Sequence, residues 1–428
     1  MKDLFCAKLT SSTALLAAVA AWQLAATPAS AQVPPPPPPP VVIAPVPPPA
    51  APTPEAPAST AMTTPSLTGP LVVNPNPYSF DDPFGLFGKI YVTGAITGLG
   101  LAQSNPIFAD HTFHPDVSNA QVIAQKTDGL FQFYVQAGMY SFPALGTPYV
   151  SAWRTTGDTF TPVPVAYAKL APTDEFSIQA GKLFTLIGAE YAFTFQNMNI
   201  ERGLLWGQEP IISRGIQANY TLGPLALSAS LNDGFYSDSY NWLTGSAAWT
   251  IDKVNTLTVV GGGNFDHTDK NAFSETLPVV VKTPFFQNNG DIFNLIYTYN
   301  LAPWTITPYF QYTHVPNNVF LGATRGAETY GGAILANYSF NDNVNLAGRA
   351  EYIASTGSLA GGNANVLFGP GSNAWSLTVT PTYQDGIWFV REEVSYVRAD
   401  SITPGFAFGK SGGARSQARV MIEGGIIF

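Results

Sequence analysis

Ionisable side chains are sparse in this sequence, so their spacing is informative. Near the C-terminus they recur on segments that alternate polar with apolar residues: Arg349 with Glu351, Arg391 with Glu393, and Arg419 with Glu423. A period of two puts residues on one face of a β-strand, so these six would share a polar face. Opposed guanidinium and carboxylate groups across a narrow aqueous passage set a transverse field that sorts solutes by charge and dipole. The plainer alternative is a salt-bridge network in a wall, with no filtering role. In Arg391-Glu392-Glu393 both glutamates share one face only if the strand bulges, so either can be the inward one. A second concentration lies in 184–213, a long aromatic stretch carrying Glu190, Glu201 and Arg202. Such a loop is poorly suited to full exposure and is expected to fold inward as a constriction; an outer lid or a contact with neighbouring subunits is the alternative.

Other chemistries find little support. The four histidines, His111, His114, His267 and His314, sit in no hydrolase motif such as Gly-x-Ser-x-Gly. Asp110, His111, His114 and Asp116 have weak metal-ligand spacing and read better as polar loop residues. Gly261-Gly262-Gly263 follows Val259-Val260 without a Lys-Ser/Thr pair, so it reads as a softened strand instead of a phosphate loop. No metal, cofactor or catalytic residue is expected, and the chain is not read as an enzyme.

The elements that would position the charges are strands. In 303–313, Trp304, Ile306, Pro308, Phe310 and Tyr312 alternate with Thr305, Thr307, Tyr309, Gln311 and Thr313; residues 374–384 repeat the pattern. Pro308 and Pro381 argue against interior strands, or for bulges. Aromatic residues gather beside the short turns: Trp249, Tyr299, Trp304, Phe340 and Trp388, with Phe428 ending the chain. That is where a lipid–water interface holds aromatic rings. Strands are expected at 89–102, 129–140, 148–155, 163–170, 175–183, 214–222, 225–232, 242–251, 255–266, 290–300, 303–314, 327–340, 344–356, 372–384, 386–399 and 415–428. This reads as an all-β, transmembrane, antiparallel up-and-down barrel of sixteen strands, or fourteen without 148–155 and one neighbour. Sixteen strands enclose an aqueous channel, here expected to be lined by Ser, Thr, Asn and Gln.

Composition agrees. The chain is 46% hydrophobic and 11% charged with 39 glycines, yet it has no run of roughly 18 apolar residues. Residues 1–31 read as a secretory signal peptide, with Lys2 and Lys8 before the apolar run Ala14–Ala21 and Ala29-Ser30-Ala31 as cleavage site. Cys6, the sole cysteine, lies in that segment. Removing Lys2, Lys8 and Asp3, a balance of +1, takes the net charge from −9 to −10, which makes nucleic acid an unsuitable partner. Residues 32–70, opening on seven prolines at 34–40, read as a disordered Pro/Ala-rich periplasmic linker, either inert or touching the cell wall. Residues 71–88 read as an irregular lead-in to a barrel over 89–428.

One set of residues points further. Gly181-Lys182, Gly188, Glu190, Asn199, Arg202, Pro210, Arg214-Gly215, Tyr220, Asn232-Asp233-Gly234 and Asn241 resemble the bacterial outer-membrane β-barrel porin family called porin-2 or OmpL-like. The likeness is best over 175–260, and Phe235 stands where members often carry Trp. The resemblance implies a passive outer-membrane pore; the polar lining suggests small hydrophilic solutes, and a homotrimer is a frequent assembly among large porins. The terminal strand resembles the signal such barrels present to the assembly machinery. Two rivals are a plugged barrel that anchors the cell wall and a secreted β-sandwich that binds carbohydrate.

Overall fold

The computed structural model of the protein describes residues 69–85, 88–268, 286–319 and 322–428. The expected signal peptide 1–31 and nearly all of the 32–70 linker lie outside the described residues. Seventeen strands follow: β1 (Tyr78–Asp81), β2 (Lys89–Gln103), β3 (Phe113–Lys126), β4 (Phe131–Tyr140), β5 (Val165–Leu170), β6 (Phe176–Phe184), β7 (Ile212–Leu222), β8 (Leu225–Asn232) and β9 (Trp242–Thr250). Then come β10 (Asn255–Asn264), β11 (Asp291–Leu301), β12 (Trp304–Val315), β13 (Ala327–Ser339), β14 (Val344–Ser355), β15 (Asn373–Asp385), β16 (Trp388–Asp400) and β17 (Ser416–Ile427). Strands β2 to β17 pair antiparallel in sequence order, and β17 closes on β2 from Arg419↔Gln103 to Ile427↔Ala95. The result is a sixteen-stranded barrel with one extra strand. Closure leaves no unpaired edge, which is the condition for strands to cross a bilayer.

Alternation sets the two faces. Along β15, Thr378 and Thr380 are fully buried in the lumen while Leu377 is 52% exposed on the outside. Trp249, Trp304, Phe340 and Trp388 are exposed at the short-turn end, and Tyr299 lies there too, paired across β11 and β12 with Ile306. Tyr338 packs edge-on between Trp304 and Phe340, with ring centroids 4.7 and 4.8 Å away. Phe428 lies over Gly94: a Cβ there would sit 2.6 Å from the Phe428 ring and 2.5 Å from the Gln121 carbonyl. Gly94 is thus needed for the terminal ring to seat at the closing seam.

The sixteen strands are not all the expected ones. Residues 148–155 form no strand; they run into α1 (Ala152–Asp158), whose first N–H, from Ala152, is held by Asp116 Oδ2 at 2.8 Å. The missing strand is β3. Its register against β2 steps from Thr97↔Asn119 to Gly98↔Val117, leaving Ser118 as an extra residue. A bulge of this kind reverses the alternation mid-strand and hides its period. Pro308 and Pro381 mark no bulges, because the ladders around them resume in one register, as in Val379↔Val394 followed by Thr382↔Arg391.

The lead-in is more ordered than expected. It holds β1, which pairs Tyr78↔Val92 through Asp81↔Lys89 and so covers the part of β2 that extends past the end of β17. Leu71 is buried in a lumenal cluster, and both the N–H and C=O of Val72 bond the Gln384 side chain at 2.8 Å.

Candidate functional site

Residues 185–211, between β6 and β7, fold into the barrel: every residue from Ala192 to Trp206 is buried. A buried loop has no ladder to satisfy its backbone, so each N–H and C=O needs another partner. The wall supplies them. Glu393 accepts the N–H groups of Ile200 and Glu201 (the latter at 3.0 Å), and Glu351 accepts those of Leu204 and Leu205 at 3.0 and 3.4 Å. Arg391 donates to the carbonyls of Thr194 and Asn197 at 2.6 and 3.1 Å, and Arg349 to that of Glu201 at 2.6 Å.

Ion pairs tighten the same seam. Arg349 holds Glu190 at 2.6 Å and lies 3.3 Å from Glu351; Arg419 holds Glu201 at 2.6 Å; Arg391 holds Glu423 at 2.5 Å. Glu423 in turn accepts from Thr194 Oγ1, and Asn119 donates to that same hydroxyl at 2.6 Å. The six wall charges Arg349, Glu351, Arg391, Glu393, Arg419 and Glu423 therefore face the lumen, and all meet the loop. Glu393 is the inward one of the adjacent pair, while Glu392 is exposed on the outer face. Glu190 and Glu201 are brought to the wall arginines. Arg202 is buried without a carboxylate partner and lies 5.3 Å from the Trp206 ring centre. Burial draws its pKa down to about 10 against the pull of Glu190, Glu423 and Glu201, so it stays charged at neutral pH.

Apolar packing fixes the loop as well. Phe193 meets Tyr140 edge-on at 5.5 Å, and Leu205 sits where a Cβ on Gly331 would be, 2.6 Å from that point. The loop covers the arc from β14 through β17 to β4 and touches β12 and β13, where Gln311 donates to the Leu205 carbonyl at 2.9 Å. On the other side a cavity of about 670 Å³ remains, bounded by the loop and lumenal residues of β5 to β7 and β10 to β13.

Comparison of the sequence with family models gives the family. The model of the beta-barrel porin-2, OmpL-like family matches residues 89–428. The chain belongs to that family. No curated protein matches the chain in sequence. The barrel is similar to OmpT of Vibrio cholerae, solved in a trimer form, at 14% identity and TM-score 0.52, covering 79% of this chain and 99% of that one. It is also similar to the anion-selective porin from Comamonas acidovorans (10%, TM-score 0.52, 79% and 99%) and to the outer membrane channel DcaP of Acinetobacter baumannii (11%, TM-score 0.52, 79% and 97%). These likenesses concern the fold, and the porin is an outer-membrane protein.

Sequence reasoning missed Glu209 in this porin. It is 3% exposed, neither of its oxygens has a hydrogen-bond partner among the described residues, and it rests on Gly188, where a Cβ would lie 1.8 Å from Oε2. The seam then holds Glu190, Glu201, Glu209, Glu351, Glu393 and Glu423 against Arg202, Arg349, Arg391 and Arg419, six carboxylates to four guanidiniums. Burial pushes Glu209 well above the ordinary carboxylate range, and Glu190 and Glu351 push the same way. At the cluster of histidines, Asp110 pairs with His114 Nε2 at 2.7 Å and accepts the Tyr149 N–H at 3.0 Å.

Two outcomes follow for the loop. Arg391→Ala strands Glu423 and two loop carbonyls, a loss of about 3–5 kcal/mol for a buried pair. The loop should become open to protease while the barrel keeps its heat-modifiable migration; an uncut loop in that variant would contradict the clamp. Docking keeps a proton on Glu209 that the free loop releases above about pH 4.3. Docking should therefore weaken as pH rises above about 4.3, read as faster clipping, and slower clipping would refute it.

Proposed function

We propose that this porin is a passive channel for small hydrophilic solutes, in which loop 185–211 narrows the lumen and the wall charges serve to clamp it. The observation that carries this reading is the cavity of about 670 Å³, lined by amides and hydroxyls as well as apolar side chains, left between the docked loop and the opposite wall. In a barrel of sixteen strands the interior is wide enough for water once a loop occupies one side. The reading assigns no catalytic step to any residue. Purified protein in planar bilayers should give stepwise, ohmic conductance. A second reading, a plugged barrel acting as a cell-wall anchor through the Pro-rich leader, is favoured by the buried run Ala192–Trp206 and the strap at Leu71–Val72. Protein that inserts but never conducts would decide for it.

The outer face supports contacts with lipid and, at one place, with protein. Exposed Val420 and Ile422 on β17 suit acyl chains, and Phe428, just past the strand's end, suits recognition by the barrel-assembly machinery. Glu392 does not suit lipid: it is exposed between Val390 and Val394, opposite Ile422, four residues inside β16. A lipid-facing charge in that band is costly. We read this as a subunit contact in a homotrimer. A cysteine at Glu392 should crosslink neighbouring copies in native membranes; monomers alone after crosslinking would count against it.

A further inference from the structure

The cavity beside the docked loop is almost free of charge. Glu190 is the only carboxylate on its lining, with no lysine or arginine among the described residues there. That carboxylate is engaged at both oxygens, by Arg349 at 2.6 Å and by the Gly203 N–H at 2.8 Å. The charged wall residues of β14, β16 and β17 are consumed in the seam, with side chains at most 2% exposed; Lys169, half-buried on the Tyr167 face of β5 and opposite Gln179, stands beside the lining but not on it.

The polar side chains that remain are amides and hydroxyls, Gln179, Gln217, Thr258, Thr298, Asn300 and Thr307, set among apolar Leu186, Ile187, Ile296 and Leu335. Beside them stands Tyr167, whose ring stacks on Tyr134 at 5.5 Å. An ion entering here gives up hydration and finds no unpaired charge on the lining itself, so its passage carries a desolvation cost. A neutral polyhydroxy molecule exchanges hydrogen bonds with water for hydrogen bonds with amides and hydroxyls, at little net change. Its C–H faces find aromatic surface on Tyr167 and Phe184. The volume falls within the roughly 300–1,000 Å³ of small-molecule sites.

We infer that this cavity is a passage site for uncharged polyhydroxy solutes of sugar or sugar-alcohol size. The inference rests on the channel reading and adds the solute class. The charges that pattern at period two along the wall, Arg349 to Glu423, then set selectivity by being hidden. Gln217, in the middle of the lining, sets it by being neutral.

The test uses the full chain in liposomes, with swelling measured in isotonic sorbitol, gluconate and N-methylglucamine, three solutes of similar size and different charge. Sorbitol should enter several-fold faster than either ion. Gln217→Lys should move the gluconate to N-methylglucamine ratio several-fold toward gluconate. Equal rates for all three, or faster entry of an ion, would overturn the solute class while leaving the channel reading standing. An unchanged ratio in the Gln217→Lys protein would place the cavity off the path and overturn the inference too. If no solute enters and no current flows, the channel reading falls first and this inference with it.

Discussion

A polypeptide loop cannot be buried without partners for its backbone, and this constraint shapes the interior of the barrel. In a sheet the ladder supplies those partners; inside a lumen nothing does so by default. Here the wall offers Glu351 and Glu393 to four loop N–H groups and Arg349 and Arg391 to three loop carbonyls. Buried ion pairs are weak sources of net stability because desolvation offsets attraction, but removing one partner is costly. The charges therefore specify where the loop sits more than they stabilise the fold.

That placement divides the lumen. From β14 through β17 to β4 the wall carries the seam charges; over β5 to β7 and β10 to β13 the residues that line the cavity are uncharged. One segment of chain thus separates two electrostatic environments inside one cylinder. The excess of two carboxylates in the seam ties the loop to pH, since in a low-dielectric site surplus acids are best held protonated. Glu209, in the loop itself and without a hydrogen-bond partner among the described residues, is one place where that surplus sits.

The lead-in adds a second constraint. β17 ends before β2 does, and β1 takes the bare edge, so the seam stays paired to the barrel's lower rim. Val72, gripped by Gln384, carries the chain into the mouth, where Gly69 lies against the carbonyl of Asn197 in the loop. The loop is thereby contacted from the wall and from below.

Much of the barrel was legible in the sequence because a lipid-facing strand obeys a local rule: hydrocarbon outside, water or polar groups inside, period two. Trp375 to Gln384 follows it without exception, and the facing of Arg349, Arg391 and Arg419 could be read from it. The strand at Phe113–Lys126 escaped because the extra residue at Ser118 breaks that period, and 148–155 took its place. Whether the charges pair with each other, face water or grip a loop was not written locally. Glu190 lies 159 residues from Arg349, and Glu201 lies 218 from Arg419. Only closure of the sheet brings such residues together, so the sequence could name the charges, and the tertiary structure alone assigned them to the loop and left the remaining passage neutral.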